Sequence, residues 1–253
     1  MNRPIAAPAR SRRVSLFGVE VDALTFDETV DRVFELADAA GPCQHVVLNA
    51  AKIVQMSKDD RLRDIVLHCA LVNADGQSVV WASWILGRPL PERVAGIDLF
   101  CAIVERSART GHRLFFLGAT DEVLAKMNER LRNRYPGLVV AGQHNGYWSH
   151  DDEVIEAVQR ARPHFLFLAI PSPRKEYWLS QNLERLGVPF VMGVGGTFDV
   201  VAGKVRRAPR WMQRVGLEWA YRLMQEPRRM WRRYLRGNSA FLALTAREWW
   251  RSR

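Results

Sequence analysis

Apolar residues in this chain gather in runs of four to eight, divided by stretches in which they recur every three or four positions. The short runs read as strands and the spaced stretches as amphipathic helices. Strands are predicted at Val14–Val21, His45–Asn49, Leu71–Ala74, Arg113–Leu117, Leu138–Ala141, His164–Ile170 and Pro189–Val194. The first helix starts at a Thr25 cap and runs to Ala40, with Val30, Val33, Phe34 and Ala37 on one face. Others follow at Ala51–Lys58, Asp60–Cys69, Gln77–Leu86, Gly96–Thr110, Asp121–Tyr135, Asp151–Ala161 and Lys175–Leu186. Gln77–Leu86 is apolar nearly all round, so it is expected to be mostly buried, Trp81 and Trp84 included. Strands alternating with helices predict an α/β fold: a Rossmann-like, mostly parallel sheet with helices on both faces.

The pattern changes near residue 204. Pro209–Gln225 and Pro227–Leu235 read as two basic helices and Phe241–Trp250 as a third. The chain therefore divides into an N-terminal arm (1–13) expected to be disordered, an α/β domain (14–203) and a basic helical C-terminal appendage (204–253). Charge follows this division. Residues 204–253 hold 14 Lys/Arg against 3 Asp/Glu, a net +11, whereas residues 1–203 hold 23 against 24, a net −1. A positive tail on a neutral body points to a polyanionic partner. Five of the nine tryptophans (Trp211, Trp219, Trp231, Trp249, Trp250) lie among these arginines. That mixture suits an anionic membrane surface, where indole sits at headgroup level and guanidinium meets phosphate. A helical subdomain packed on the body has the same pattern, and so has a nucleic-acid-binding tail that stacks bases on tryptophan.

Composition narrows the classes. Three cysteines (Cys43, Cys69, Cys101) do not make a disulfide framework, and no Cys/His spacing suggests a metal site. Residues 1–13 do not read as a signal peptide, and no apolar run reaches the roughly 18 residues of a spanning helix. The expectation is a cytoplasmic protein.

Candidate chemistry lies at the predicted strand ends, the rim where open α/β sheets bind ligands. Asn49 and Asp75 end consecutive strands. Gly118 ends a third, and Gly195-Gly196 follows a fourth. Neither glycine stretch is a nucleotide fingerprint, and each alone reads equally as a tight turn; Asp75-Gly76 alone reads first as a turn. Pro173-Arg174-Lys175-Glu176 puts two cations at a helix start, where the helix dipole disfavours them, which hints at an anionic partner. Tyr147-Trp148 is able to stack on a base or sugar, or to plug a loop. No Ser-His-Asp or Cys-His arrangement stands out.

The order of these motifs resembles a family of bacterial glycosyltransferases typified by the wall teichoic acid and enterobacterial common antigen N-acetylmannosaminyltransferases. Capsular and exopolysaccharide glucosyl- and galactosyltransferases also belong to it. The resemblance rests on Val47-Leu48-Asn49, Ala74-Asp75-Gly76, Glu92–Asp98, Phe115–Gly118, Gly146-Tyr147-Trp148, Pro173–Trp178, Gly193–Asp199, Ala208–Trp211, Gly216–Arg222 and Glu226–Arg229. It covers roughly residues 14–236.

The resemblance implies inverting, metal-independent and cofactor-free transfer from a UDP-sugar to a sugar on a polyprenyl diphosphate, at the inner face of the cytoplasmic membrane. It implies Asp75 as general base, with Asn49 and Arg93 in the active site. It also implies that the appendage docks on the membrane and supplies arginines to the diphosphate, the candidates being Arg206, Arg207, Arg210, Arg214, Arg222 and Arg229. Gly118, Lys175, Glu176, Gly195 and Gly196 complete the expected substrate contacts. Val47 stands where the family often has Thr, and Lys175 where it often has Gln. Glutamine donates and accepts hydrogen bonds, whereas lysine only donates and adds charge. The expected donor shifts from N-acetylmannosamine toward an exopolysaccharide hexose. Two rivals stay open: a nucleic-acid-binding module, and a nucleotide-sugar enzyme with a soluble acceptor. Monomer and homo-oligomer are both compatible with the sequence.

Overall fold

A computed structural model describes residues 12–251 except 40, 215 and 226. Its centre is a six-stranded sheet built from β3 (Cys43–Leu48), β4 (Leu71–Ala74), β5 (Arg113–Gly118), β6 (Val139–His144), β7 (Phe165–Ala169) and β8 (Phe190–Gly193). The spatial order is β4-β3-β8-β7-β5-β6, and every neighbouring pair is parallel. All strand exits therefore lie on one rim.

The central strands show why they read as unbroken apolar runs. Phe165 and Phe167 of β7 pack into one core with Leu114, Phe116 and Phe100, while Leu166 and Leu168 pack into another with Phe115, Leu117 and Val191. Alternate side chains serve opposite faces, and helices cover both. On the first face lie α1 (Phe26–Asp38), α5 (Gly96–Thr110), α6 (Asp121–Arg134) and α9 (Thr197–Val201); on the second, α7 (Asp151–Ala161) and α8 (Arg174–Leu186). Helix α1 begins as expected. Thr25 Oγ1 accepts from Glu28 N at 3.3 Å and Thr25 N donates to Glu28 Oε2 at 2.7 Å, a reciprocal capping box. A third core unites α2 (Ala50–Met56), α3 (Asp60–Leu67), α4 (Gln77–Ile85), β3 and β4.

Four expectations need correction. The predicted strand Val14–Val21 is a hairpin, β1 (Arg13–Leu16) paired antiparallel with β2 (Val19–Asp22). Phe17 and Gly18 both take positive φ, the two-residue turn that matches strand twist. Arg13, placed in the disordered arm, opens β1 and pairs with Asp22 at 3.0 Å; residues 1–11 lie outside the described residues. Trp81 and Trp84 are not buried: they are 48% and 55% exposed, because only Val79, Val80, Ala82 and Ser83 of α4 face the body.

The last correction concerns the C-terminus. The predicted second and third basic helices are one, α12 (Pro227–Arg251), preceded by α10 (Arg210–Arg214) and α11 (Glu218–Gln225). Its far half is joined to the body. Phe241 is buried in the third core and packs its ring, tilted, against Phe17, 5.4 Å between ring centroids. Glu248 Oε1 accepts from Phe17 N at 2.9 Å.

Candidate active site

β3 and β4 are in register to their last residues, Leu48 beside Ala74. Asn49 and Asp75 therefore leave adjacent strands at one level. Asp75 N and Gly76 N both donate to Leu48 O, at 2.8 and 3.4 Å, which closes the turn. Gly96, the first residue of α5, donates its N–H to Asp75 Oδ1 at 3.0 Å and orients the carboxylate. The Asn49 amide oxygen caps α2 by accepting from Lys52 N at 3.0 Å. That commitment makes the amide NH2 the end able to meet a ligand.

Below this pair lies a cluster of three buried charges. Lys52 of α2 forms a close ion pair with Glu176 of α8, and Lys175 Nζ stands 3.8 Å from the same carboxylate oxygen. The burial of Lys52, Lys175 and Glu176 is nearly complete. Burial works to raise the Glu176 carboxyl, but Lys52 and Lys175 outweigh it and hold it below the ordinary range. Burial and the neighbouring Lys52 charge push Lys175 down to about 8, with Glu176 and Asp75 opposing. Lys175 also donates to Gly193 O at 3.3 Å. A Cβ at Gly193 would lie 2.9 Å from Lys175 Cδ, so the missing side chain makes the lysine's channel. Lys175 Nζ reaches within 3.9 Å of where a Gly195 Cβ would be. Lys175 and Glu176, predicted from one motif, and Gly195, from another, are thus one neighbourhood beside Asp75.

A second charged group joins the appendage to the rim. Glu218 of α11 accepts from Arg93 at 2.8 Å and from Arg207 Nε at 3.0 Å. Arg207 also grips Asp98 of α5 with both terminal nitrogens, at 2.5 and 2.8 Å. Burial tends to raise Glu218, yet hydrogen bonds from the two arginines outweigh it and hold the carboxyl below its ordinary range. Arg207 is therefore held by two protein carboxylates. Arg206 and Arg210 are exposed. Arg214, Arg222 and Arg229 lie on α10, α11 and α12, and their side chains are outside the described ones.

Other predicted residues stand apart. Gly118 ends β5, separated from β3 by β7 and β8. A Cβ there would meet Ala169 O at 2.6 Å, so this glycine serves close strand contact at positive φ. Gly196 caps the start of the five-residue α9. Trp148 plugs its loop: its indole and that of Trp178 both donate to Asp151 Oδ1 at 2.7 Å. Three residues went unnoticed in the sequence. Lys52 reads as an ordinary solvated helix lysine. Asp98 and Glu218 lie in motifs named above, but Asp98 pairs with Arg207, 109 residues away, and Glu218 with Arg93, 125 residues away, beyond any local pattern.

The sequence has known counterparts. The profile of the "Glycosyl transferase WecG/TagA/CpsF family" matches residues 14–253, nearly the whole chain. The chain belongs to this family. The WecG/TagA/CpsF profile runs through α12, so the appendage is part of the family's shared extent. Among curated relatives, an N-acetylglucosaminyldiphosphoundecaprenol N-acetyl-beta-D-mannosaminyltransferase of Bacillus spizizenii is 34% identical over 178 residues, covering 70% of this chain and 69% of that protein. A protein of the same name from Bacillus subtilis is 33% identical over the same shares. One from Staphylococcus aureus is 28% identical over 227 residues, 88% of this chain and 89% of that one. As a WecG/TagA/CpsF protein, the chain is a glycosyltransferase.

Proposed function

We propose that this glycosyltransferase moves a hexose or N-acetylhexosamine from a UDP-sugar to a sugar carried on a polyprenyl diphosphate, with inversion at the anomeric carbon. The observation that carries this reading is Asp75 on the rim, oriented by Gly96 and set above the Lys52–Glu176–Lys175 cluster. The relatives' printed names, which include a diphosphoundecaprenol-linked acceptor, support it.

In this reading Asp75 takes the proton of the acceptor hydroxyl as its oxygen attacks the anomeric carbon. The bond from that carbon to the UDP oxygen breaks, and UDP leaves with the electron pair. The cations on the leaving diphosphate come from the protein. Two buried lysines share one glutamate, an excess of positive charge that an anion would complement. Lys175 is therefore the body's contribution, with Asn49 donating a hydrogen bond. Arg210, Arg214, Arg222 and Arg229 are the appendage's candidates. Arg93 and Arg207 hold the appendage in place through Glu218.

The body and appendage work at an anionic membrane, on the inner face of the cytoplasmic membrane, where such an acceptor resides. No described helix is long and apolar enough to cross a membrane; the reading is of peripheral contact through tryptophan and arginine. The test is a screen of UDP-sugars against a lipid-diphosphate-sugar acceptor, with linkage analysis of the product. Release of UDP coupled to a new glycosidic bond on the lipid is the expected result. Equal transfer to a soluble sugar without lipid would overturn the acceptor assignment.

A further inference from the structure

Helix α4 has an outward apolar stripe that the fold leaves about half exposed. Trp81, Trp84 and Ile85 are 48%, 55% and 60% exposed. Their spacing of three and four puts them on one face. The nine residues of α4 include no charged side chain. A contiguous exposed patch of this kind on a folded surface marks an interaction site.

The patch adjoins the appendage. A Cβ on Gly216, between α10 and α11, would lie 2.7 Å from Gln77 Cβ and 3.6 Å from Trp81 Cη2. Gly216 is flanked along the chain by Trp211 and Trp219, which are 63% and 42% exposed. The α4 stripe thus meets the body–appendage junction at Gly216, in the segment that carries the net +11.

We infer that α4 is a membrane-contacting element of the catalytic body itself, inserting Trp81, Trp84 and Ile85 shallowly into an anionic lipid surface alongside the appendage. This rests on the proposed membrane reading and extends it from the basic tail to the body. Charge argues for lipid over a second copy. Self-docking through this face would bring two strongly basic appendages together, whereas anionic headgroups neutralise them. An uncharged stripe of tryptophan and isoleucine costs little to place at headgroup level. Position argues the same way: α4 starts at Gln77, next to the Asp75-Gly76 turn, so insertion of its stripe holds the rim against the headgroups.

The test compares the full chain with Trp81→Ser/Ile85→Ser, sparing Trp84, whose indole donates to Leu90 O at 3.1 Å. Both proteins are sedimented with phosphatidylglycerol-rich vesicles and assayed with a short-chain, detergent-dispersed acceptor. Loss of vesicle binding of roughly tenfold or more, with short-chain turnover unchanged, is expected. Ile85→Ser alone, at the most exposed position, should give a partial loss. Wild-type-like vesicle binding by the double variant overturns the role of α4 and leaves the tail's role standing. Failure of the unaltered chain to bind vesicles overturns the membrane reading beneath it. A change in mass by light scattering without loss of vesicle binding assigns the stripe to a second copy and also overturns the inference.

Discussion

Glu218 and Arg93, 125 residues apart, share a hydrogen bond of 2.8 Å that ties α11 to the loop before α5. Arg207, on the same carboxylate, extends the tie to Asp98. Removing Glu218 leaves two arginines without their shared acceptor. Glu218→Ala should cost about 1.5–3 kcal/mol of local stability, the scale for charged hydrogen bonds. Hydrogen exchange should speed up in residues 204–225 while β5 and β7 stay protected. Unchanged exchange in the appendage would show that Glu218 does not hold it.

Asp75→Asn keeps the shape and the acceptor for Gly96 N but removes the carboxylate proposed as base. A fall in kcat of roughly 10²-fold or more is expected, with an unaltered thermal midpoint. Near-wild-type turnover on lipid-linked acceptor would remove Asp75 from proton transfer.

Lys175 supplies a pH signature. With its value at about 8, the ammonium is present at neutral pH and lost as pH rises through 8. If the charge assists diphosphate departure, turnover should decline above pH 8. Lys175→Met should lower turnover and flatten that alkaline limb. The unfolded lysine titrates near 10.4, so the folded form is at a relative disadvantage below pH 8 and gains stability between roughly 8 and 10. An alkaline limb that persists unchanged in Lys175→Met would assign it to another group.

His45 gives the opposite readout at acid pH. It is buried, its Nε2 hydrogen-bonded to Asn73 Oδ1 at 3.1 Å and its ring stacked on Phe190. Burial pushes it down to about 4, against an ordinary 6.5, with the Asn73 bond opposing. The unfolded chain binds a proton here first, so stability should be lost as pH falls from about 6.5 through 4, by up to roughly 3 kcal/mol. His45→Gln should show a shallower acid slope in denaturant midpoints between pH 7 and 4. An identical slope would place the acid sensitivity elsewhere.

The buried strands were legible because each is apolar on both faces; β4 and the α5 and α7 helices match their predicted bounds. Convergence of Asn49 and Asp75 followed once the sheet was parallel. The hairpin was hidden because a positive φ at Phe17 has no signal in a residue that rarely adopts it. The outward turn of Trp81 and Trp84 was hidden because an apolar helix does not announce which side is covered. Lys52 and Asp98 were missed because their partners lie far away in sequence. The continuity of α12 across Gly237 reflects tertiary support from Phe241, which outweighs the modest helix penalty of one glycine.

That support governs how the appendage behaves. It is fastened near its start by Arg207 to Asp98, and again near its end by Phe241 and Glu248 to the hairpin. A segment secured at both ends behaves as a strap and not as a hinged arm. It can bow or tighten over the rim, but it cannot swing away without first unseating part of the core. Any rearrangement during turnover is then confined to the span between the two fastenings.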